Sequence, residues 1–304
     1  MARYAMQRFI LALAVAVAVS IISFAILRVS TDLAQALAGE AANQEEVEQI
    51  RIAYGLDRPL YVQYFAWLGD IARGDFGESY YFREPVAGLI LDRLPLTFTL
   101  AGMSLLLALI IALPLGVLAA LHHNSWIDRL CLGIAVVGQA MPSFWFALML
   151  IFVFAVTLQV VPLSGGDTWQ GLILPAVVLA YYATPAIMRL TRAGMIEVLA
   201  SDYIRTARAK GLSSASILVK HALRNAVMPV VALAAVKFGF LLGGSTIVET
   251  VFALDGIGYL SWESIQRADF PVVQSIVLLF SLIFVFLTFA SDILNAWVDP
   301  RVRV

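Results

Sequence analysis

The side chains able to run a reaction are few in this chain and poorly spaced for one. The lysines are Lys210, Lys220 and Lys237, in the contexts Ala-Lys-Gly, Val-Lys-His and Val-Lys-Phe. A nucleotide-binding P-loop needs Gly-Lys-Ser/Thr after a glycine-rich turn, so that backbone amides cradle the phosphates and the hydroxyl reaches magnesium. No lysine here completes that pattern, so the chain is expected neither to bind nor to hydrolyse ATP by itself. His122 and His123 are neighbours, His221 is remote, and no cysteine or further histidine stands at metal-ligand spacing. Cys131 is the only cysteine, which excludes an intrachain disulfide. What remains is a basic stretch, Asp202-Tyr-Ile-Arg-Thr-Ala-Arg-Ala-Lys-Gly211, and two charged residues in apolar surroundings, Lys237 and Glu249.

The elements that must position these residues are set by hydropathy. Of the residues, 61% are hydrophobic and 13% charged, roughly half the ~25% charge of a soluble domain. The apolar residues fall in blocks long enough for membrane-spanning helices, which need about 20 residues each. Charge-free runs predict six spans, at roughly 9–28, 96–120, 131–156, 171–191, 227–250 and 273–296. Arg3 and Arg8 precede the first run, which reads as a retained helix rather than a cleaved signal. The fold class expected is an all-α membrane bundle: a first helix (1–28), an extracytoplasmic segment (29–95), a permease-like core (96–298) containing a loop at 193–226, and a short tail (299–304). A net charge of -1 gives no bulk field for nucleic acid.

Orientation follows from the bias of basic residues towards the inside. With the N-terminus cytoplasmic, the inside segments carry Arg3, Arg8, Arg129, Arg189, Arg192, Arg205, Arg208, Lys210, Lys220, Arg224, Arg301 and Arg303. The short outside loops carry only Arg267. Both termini are therefore expected inside. In the long outside segment, Asn43 and Glu46 have capping-box spacing, and Pro59 suits the start of a further helix with Tyr61, Tyr64, Phe65, Leu68 and Ile71 on one face, ended by Gly74. These two helices serve equally as a lid over the bundle or a dock for an external partner.

The inside loop reads as two short helical stretches broken at Gly211, where a left-handed residue is cheap. An ordinary basic loop would explain the charges but not the length, the helical pattern or the glycine. In the fifth span, Ala235, Gly239 and Gly243 form a row of small residues suited to close helix packing. Lys237 lies about 200° around the helix from Ala235, and a lipid-facing charge at that depth costs about 2.5–3.5 kcal/mol. Lys237 is therefore expected to face either the translocation path or a partner subunit.

The loop resembles the EAA loop of binding-protein-dependent ABC importer permeases, in particular the dipeptide/oligopeptide/nickel branch. Tyr203, Arg205 to Gly211, His221 to Ala226 and Pro229 match that form. Gly55-Leu-Asp-Arg-Pro-Leu, Gly74-Asp-Phe-Gly-Glu-Ser, Arg93-Leu-Pro-Leu-Thr, Val248-Glu-Thr-Val-Phe, Gly256-Ile-Gly, Asp269-Phe-Pro and Asp299-Pro-Arg extend the resemblance over nearly the whole chain. The departures are Val29-Ser-Thr-Asp32-Leu after the first span, Leu254-Asp255 before Gly-x-Gly, and Lys237 where an uncharged polar residue is usual.

The resemblance implies one permease subunit in the bacterial inner membrane. It would pair with a second homologous permease, two cytoplasmic ATPase subunits that bind ATP and magnesium, and an extracytoplasmic solute-binding protein. Coupling to the ATPase would fall to Tyr203, Arg205, Thr206, Ala207, Arg208, Ala209, Lys210 and Gly211, and Lys237 and Glu249 would line the path. No catalytic residue, metal or cofactor is expected in this chain. Within the family, a nickel or other small-solute importer is the alternative to a peptide importer. A secondary transporter would need an acid in mid-span, whereas Glu249 falls at a span end. A membrane-embedded enzyme would need paired acids or a metal cluster, and neither is visible.

Overall fold

A computed structural model describes residues 2–30, 33–39, 42–162, 165, 166 and 168–298; the predicted tail and the Asp32 departure lie outside the described residues. The described chain is helical throughout. Helix α1 (Ala2–Ser30) leads to three short helices, α2 (Leu33–Ala38), α3 (Gln44–Ala53) and α4 (Leu60–Ala72). The bundle follows as α5 (Val86–Leu121), α6 (Trp126–Ala140), α7 (Ser143–Leu150) running into a π-helical segment (Ile151–Thr157), and α8 (Ile173–Leu199). The loop region holds α9 (Asp202–Ala209), α10 (Ser214–Ser216), a π-helical turn (Ile217–Leu223) and α11 (Arg224–Ala226). Helices α12 (Met228–Val251), α13 (Ile257–Gln266) and α14 (Phe270–Val298) complete the chain. In hydrocarbon every backbone polar group must be satisfied within the protein, which is why the apolar runs resolve as helices.

Five helices, α1, α5, α8, α12 and α14, contain apolar windows long enough to cross a membrane. The expectation of six uninterrupted spans is corrected at 131–156. Met141 and Pro142 are extended (ψ 133° and 137°) and divide that run into α6 and α7. The physical reason is Pro142: its ring disfavours helical backbone at the preceding residue. Each half, of about 15 residues, reaches only ~22 Å, short of the ~30 Å hydrocarbon core. The second expected span, 96–120, is the inner part of α5, which begins at Val86.

The core has a centre and two ends. At the centre, Ala101, Ala108, Ala112 and Ala119 of α5 are wholly buried, and their small side chains let α8 approach closely. At Gly116, a Cβ would lie 2.7 Å from the Thr191 Cβ and 2.8 Å from the Met188 carbonyl oxygen. One end of α5 packs Val86, Leu89 and Ile90 against Ile257, Leu260, Val272 and Ile276. The other end sets Ala120 with Met195, Ile204, Ala207, Ile217, Ala222 and Ala226.

An ion pair secures α6 to α8. The Arg192 guanidinium donates from Nε and Nη2 to the two Asp128 carboxylate oxygens at 2.7 and 2.6 Å, and Asp128 also accepts from the Asn124 amide at 3.0 Å. Asp128 is 2% exposed. Arg192 and the Asn124 amide hold its carboxyl down at about 2, against the pull of burial.

The short helices at the opposite end keep their expected caps. Asn43 Oδ1 accepts from the Glu46 amide at 2.9 Å, and Glu46 Oε2 accepts from the Asn43 amide at 3.1 Å. The single apolar face expected for α4 is divided. Tyr64 and Trp67 stack on Phe24 of α1, with centroids 5.5 and 5.6 Å away, whereas Tyr61 and Phe65 are 67% and 65% exposed. Gln63 takes the inward position instead, its Nε2 donating to the Leu56 and Arg58 carbonyls.

Two outcomes follow from this packing. Gly116→Val forces a side chain into the α8 backbone and should cost about 1–3 kcal/mol, seen as a lower thermal midpoint in detergent. Asp128→Asn leaves the Arg192 cation without its counter-charge and should cost about 3 kcal/mol. Because the folded-state pKa of Asp128 lies below its ordinary value of 3.8, the pair's contribution is complete above about pH 4 and fades as pH falls towards 2. The gap in thermal midpoint between wild type and Asp128→Asn should therefore stay constant from pH 7 to about 4.5 and shrink below that.

Candidate functional site

Helix α9 is held by its inner face and exposed along the other. Ile204 is wholly buried and Ala207 is 7% exposed, so among the residues named from the sequence Ala207 anchors the helix rather than presenting it. Tyr203, Arg205, Thr206, Arg208, Ala209 and Lys210 are exposed. Arg205 pairs with Asp202 at 3.2 Å on the helix surface.

The helix stops in a Schellman arrangement. The Gly211 amide donates to the Arg208 carbonyl at 3.0 Å, and the Leu212 amide reaches back to Ala207 at 3.3 Å. This geometry requires a left-handed residue, and Gly211 supplies it at φ +75°. A Cβ there would meet nothing within 4 Å, so the requirement is conformational and not steric. Ser213 then caps the next turn, its side chain accepting from the Ser216 amide.

The loop is tied to the following segment through groups the sequence reading left without a role. Asn225 Nδ2 donates to the Tyr203 hydroxyl at 2.8 Å and to the His221 carbonyl at 3.1 Å. Gly194 of α8 lets α11 approach: a Cβ there would lie 3.0 Å from the Ala226 carbonyl oxygen. The Asp128–Arg192 pair fixes the same end of the bundle from the α6 side. Its one sequence signal was an acid in the first turn of a helix capped by Ser125, whose hydroxyl accepts from the Ile127 and Asp128 amides; the partner across α8 had none.

Lys237 lines a cavity of about 360 Å³ between α7, α8 and α12, with Ser143, Tyr182, Ala183, Phe240 and Gly244. Its ammonium lies 5.6 Å from the Phe240 ring centroid, a cation–π contact, and it makes no ion pair among the described residues. Tyr182 borders the same cavity, and its hydroxyl donates to the Met141 carbonyl at 3.4 Å, beside the α6–α7 break. Of the glycines in the small-residue row beside Lys237, Gly239 packs tightly, since a Cβ there would sit 2.9 Å from Phe284 of α14; Gly243 faces open space.

Glu249 occupies a different setting. It is wholly buried, its Oε1 accepting from the Thr97 hydroxyl at 3.0 Å and its Oε2 from the Tyr259 amide at 2.9 Å. The Thr97 oxygen in turn accepts from the Ile257 amide at 2.9 Å. Glu249 and Thr97 thus satisfy the first amides of α13, where a carboxylate is favoured by the helix dipole. Side chains on Gly256 or Gly258 would collide with this carboxylate, and one on Gly258 would lie 2.6 Å from the Thr246 Cα. Arg93 closes the same corner, its Nε donating to Asp255 at 2.7 Å. In this conformation Glu249 therefore joins α5, α12 and α13 and is not among the residues that line the Lys237 cavity. Nearby, Asp269 accepts from the Ser79 hydroxyl and from the Tyr80 amide at 3.1 Å, joining the Gly74–Ser79 and Asp269-Phe-Pro stretches.

Comparison with known proteins fits this geometry. Residues 112–304 match the model of the binding-protein-dependent transport system inner membrane component, and residues 1–101 match the N-terminal region model of the same transport systems. The chain is 42% identical over 272 residues to the glutathione transport system permease protein GsiC of Escherichia coli, covering 90% of this chain and 89% of that one. The permease of the same name from Shigella flexneri matches to the same extent. Among solved structures, inward-facing forms of the MetNI methionine ABC transporter align with TM-scores of 0.57 and 0.58 at 20% and 22% identity, covering 69% of this chain and 96% of the other. That likeness bears on the fold alone. A multi-pass helical bundle with an outward-presented, glycine-terminated loop helix and family matches along its length belongs to the binding-protein-dependent transport system inner membrane component family, as a permease subunit of an ABC importer.

Proposed function

We propose that this permease forms half of a translocation path for small peptides of the glutathione or dipeptide type, opened alternately to the two sides of the membrane. The observation that carries the reading is α9: a helix ended at Gly211, its inner face anchored in the bundle through Ile204 and Ala207 and its outer face, with Arg205, Thr206, Arg208, Ala209 and Lys210, exposed for docking. A groove on a partner ATPase would receive that face. Nucleotide-driven closure of two such ATPases would move α9 together with α8, to which it is packed through Met195, and so bias the bundle between two conformations. A second homologous permease would complete the path, and an extracytoplasmic solute-binding protein would deliver the substrate. The α9 end and both termini lie on the cytoplasmic side in this reading, supported by the basic residues collected there. The peptide assignment is supported by the identity to the glutathione permease.

Lys237 then serves as a cation in the path. Its position in the α7–α8–α12 cavity suits contact with a substrate carboxylate. Glu249 is left out of the path and assigned to the α13 cap.

Uptake of radiolabelled glutathione and dipeptides by cells expressing the complete system tests the reading. Gly211→Val imposes a left-handed backbone on a β-branched residue at a cost of about 1–2 kcal/mol, and uptake should fall at least tenfold with unchanged membrane abundance. Gly211→Asn, which tolerates that conformation, should recover most of it. Normal uptake by Gly211→Val would count against a coupling role for the loop. Lys237→Gln should lower uptake of anionic peptides by about 1 kcal/mol, the scale of a partly exposed ion pair, or about fivefold, and leave neutral peptides within twofold. Equal effects on both classes would remove Lys237 from substrate recognition.

A further inference from the structure

A second polar cavity lies far from Lys237, where the C-terminal end of α1 meets α4 and the start of α14. It measures about 170 Å³, far more than the ~10–15 Å³ one water needs. Two nitrogen donors on its wall lack partners. Gln274 is 7% exposed, and its Nε2 has no hydrogen-bond partner among the described residues. The Nη1 of Arg28 is enclosed and likewise unpartnered; the guanidinium rests over the Phe24 ring at 5.0 Å and makes no ion pair among the described residues. A buried donor left without a partner is costly, more so when it is charged, so two lining one cavity point to an acceptor of negative charge. The opposite charge stands at the exposed rim, where Asp75 and Asp70, the latter paired with Arg73 at 3.3 Å, border the same cavity with Trp67.

We propose that this cavity binds a zwitterion, an anion towards Arg28 and Gln274 and an ammonium towards Asp70, Asp75 and Trp67, and that the occupant is the phosphoethanolamine headgroup of a membrane phospholipid. The depth decides for a lipid. Arg28 lies three residues past the apolar stretch of α1, which ends at Ala25, the level at which phosphates of a bilayer sit. A headgroup there places its phosphate next to the membrane and its ammonium further out, in keeping with a part-buried Arg28 and exposed Asp70 and Asp75. Ile21 and Ile22 on α1, 47% and 55% exposed, offer apolar surface for acyl chains just below. Phosphatidylglycerol carries the same phosphate without the ammonium and should bind less well. The inference rests on the membrane placement of the chain and is independent of what the importer carries.

The full-length chain, tagged and purified in mild detergent with the subunits that accompany it, can be titrated with dioleoyl phosphatidylethanolamine, with dioleoyl phosphatidylglycerol, or with free phosphoethanolamine, and read by native mass spectrometry. One phosphatidylethanolamine should bind at least fivefold more tightly than phosphatidylglycerol. Arg28→Met should weaken both lipids tenfold or more, Gln274→Leu should weaken both to a smaller degree, and Asp70→Asn with Asp75→Asn should remove the preference while retaining phosphatidylglycerol. Elution profile and thermal midpoint establish that each variant is folded. The comparison of the two lipids on the wild-type protein needs no variant. Equal binding of the two lipids by the wild type, or lipid binding unchanged in both Arg28→Met and Gln274→Leu, would overturn the proposal. Saturation by free phosphoethanolamine with no lipid preference would assign the cavity to a soluble zwitterion and also overturn the lipid assignment.

Discussion

The close approach of α5 and α8 is the constraint from which the rest of the structure hangs. Gly116 admits the α8 backbone at a distance no side chain would allow, and the wholly buried alanines of α5 extend that contact along the helix. Between two helices that both face lipid elsewhere, van der Waals contact of this kind replaces the hydrophobic effect as the source of association. Each end of the pair then carries a functional or structural appendage. One end of α8 leads directly into α9, and the other end of α5 supplies Thr97 to the α13 cap. Helix α9 therefore sits on a packed cluster at the end of α5 and α8, through Ile204 and Ala207.

Much of the architecture was legible in the sequence because it obeys local rules. The capping box at Asn43 and Glu46 depends on four consecutive residues and appeared where the spacing placed it. The break at Gly211 was readable for the same reason: a left-handed residue after a helical stretch is a local requirement. Hydropathy located the long helices, since membrane spans announce themselves by composition. The run at 131–156 read as continuous because its apolarity does not reveal that Pro142 turns the chain.

What was illegible depends on partners far apart in the chain. Glu249 was visible as a charge in apolar surroundings, but its bonds to the Tyr259 amide and to a hydroxyl on α5 were not. The glycines of Gly256-Ile-Gly were visible as a motif, but only the packed structure supplies their reason. Tyr61 and Phe65 fit the same helical face as Tyr64, but only Tyr64 of the three meets Phe24 and Ser20 of α1 among the described contacts. The row at Ala235, Gly239 and Gly243 read as suited to close packing, and of its two glycines Gly239 meets α14 tightly whereas Gly243 faces open space. Lys237 accordingly shares a helix with a tight contact on one side and a cavity on the other.

The interruption at Pro142 bears on how the chain is made. Two halves, each too short to cross the hydrocarbon by itself, emerge from the ribosome before α8 exists. The pair gains its partner only when α8 follows, bringing Arg192 to the Asp128 already waiting at the start of α6. In the folded chain a later helix thus secures an earlier, interrupted one through that ion pair.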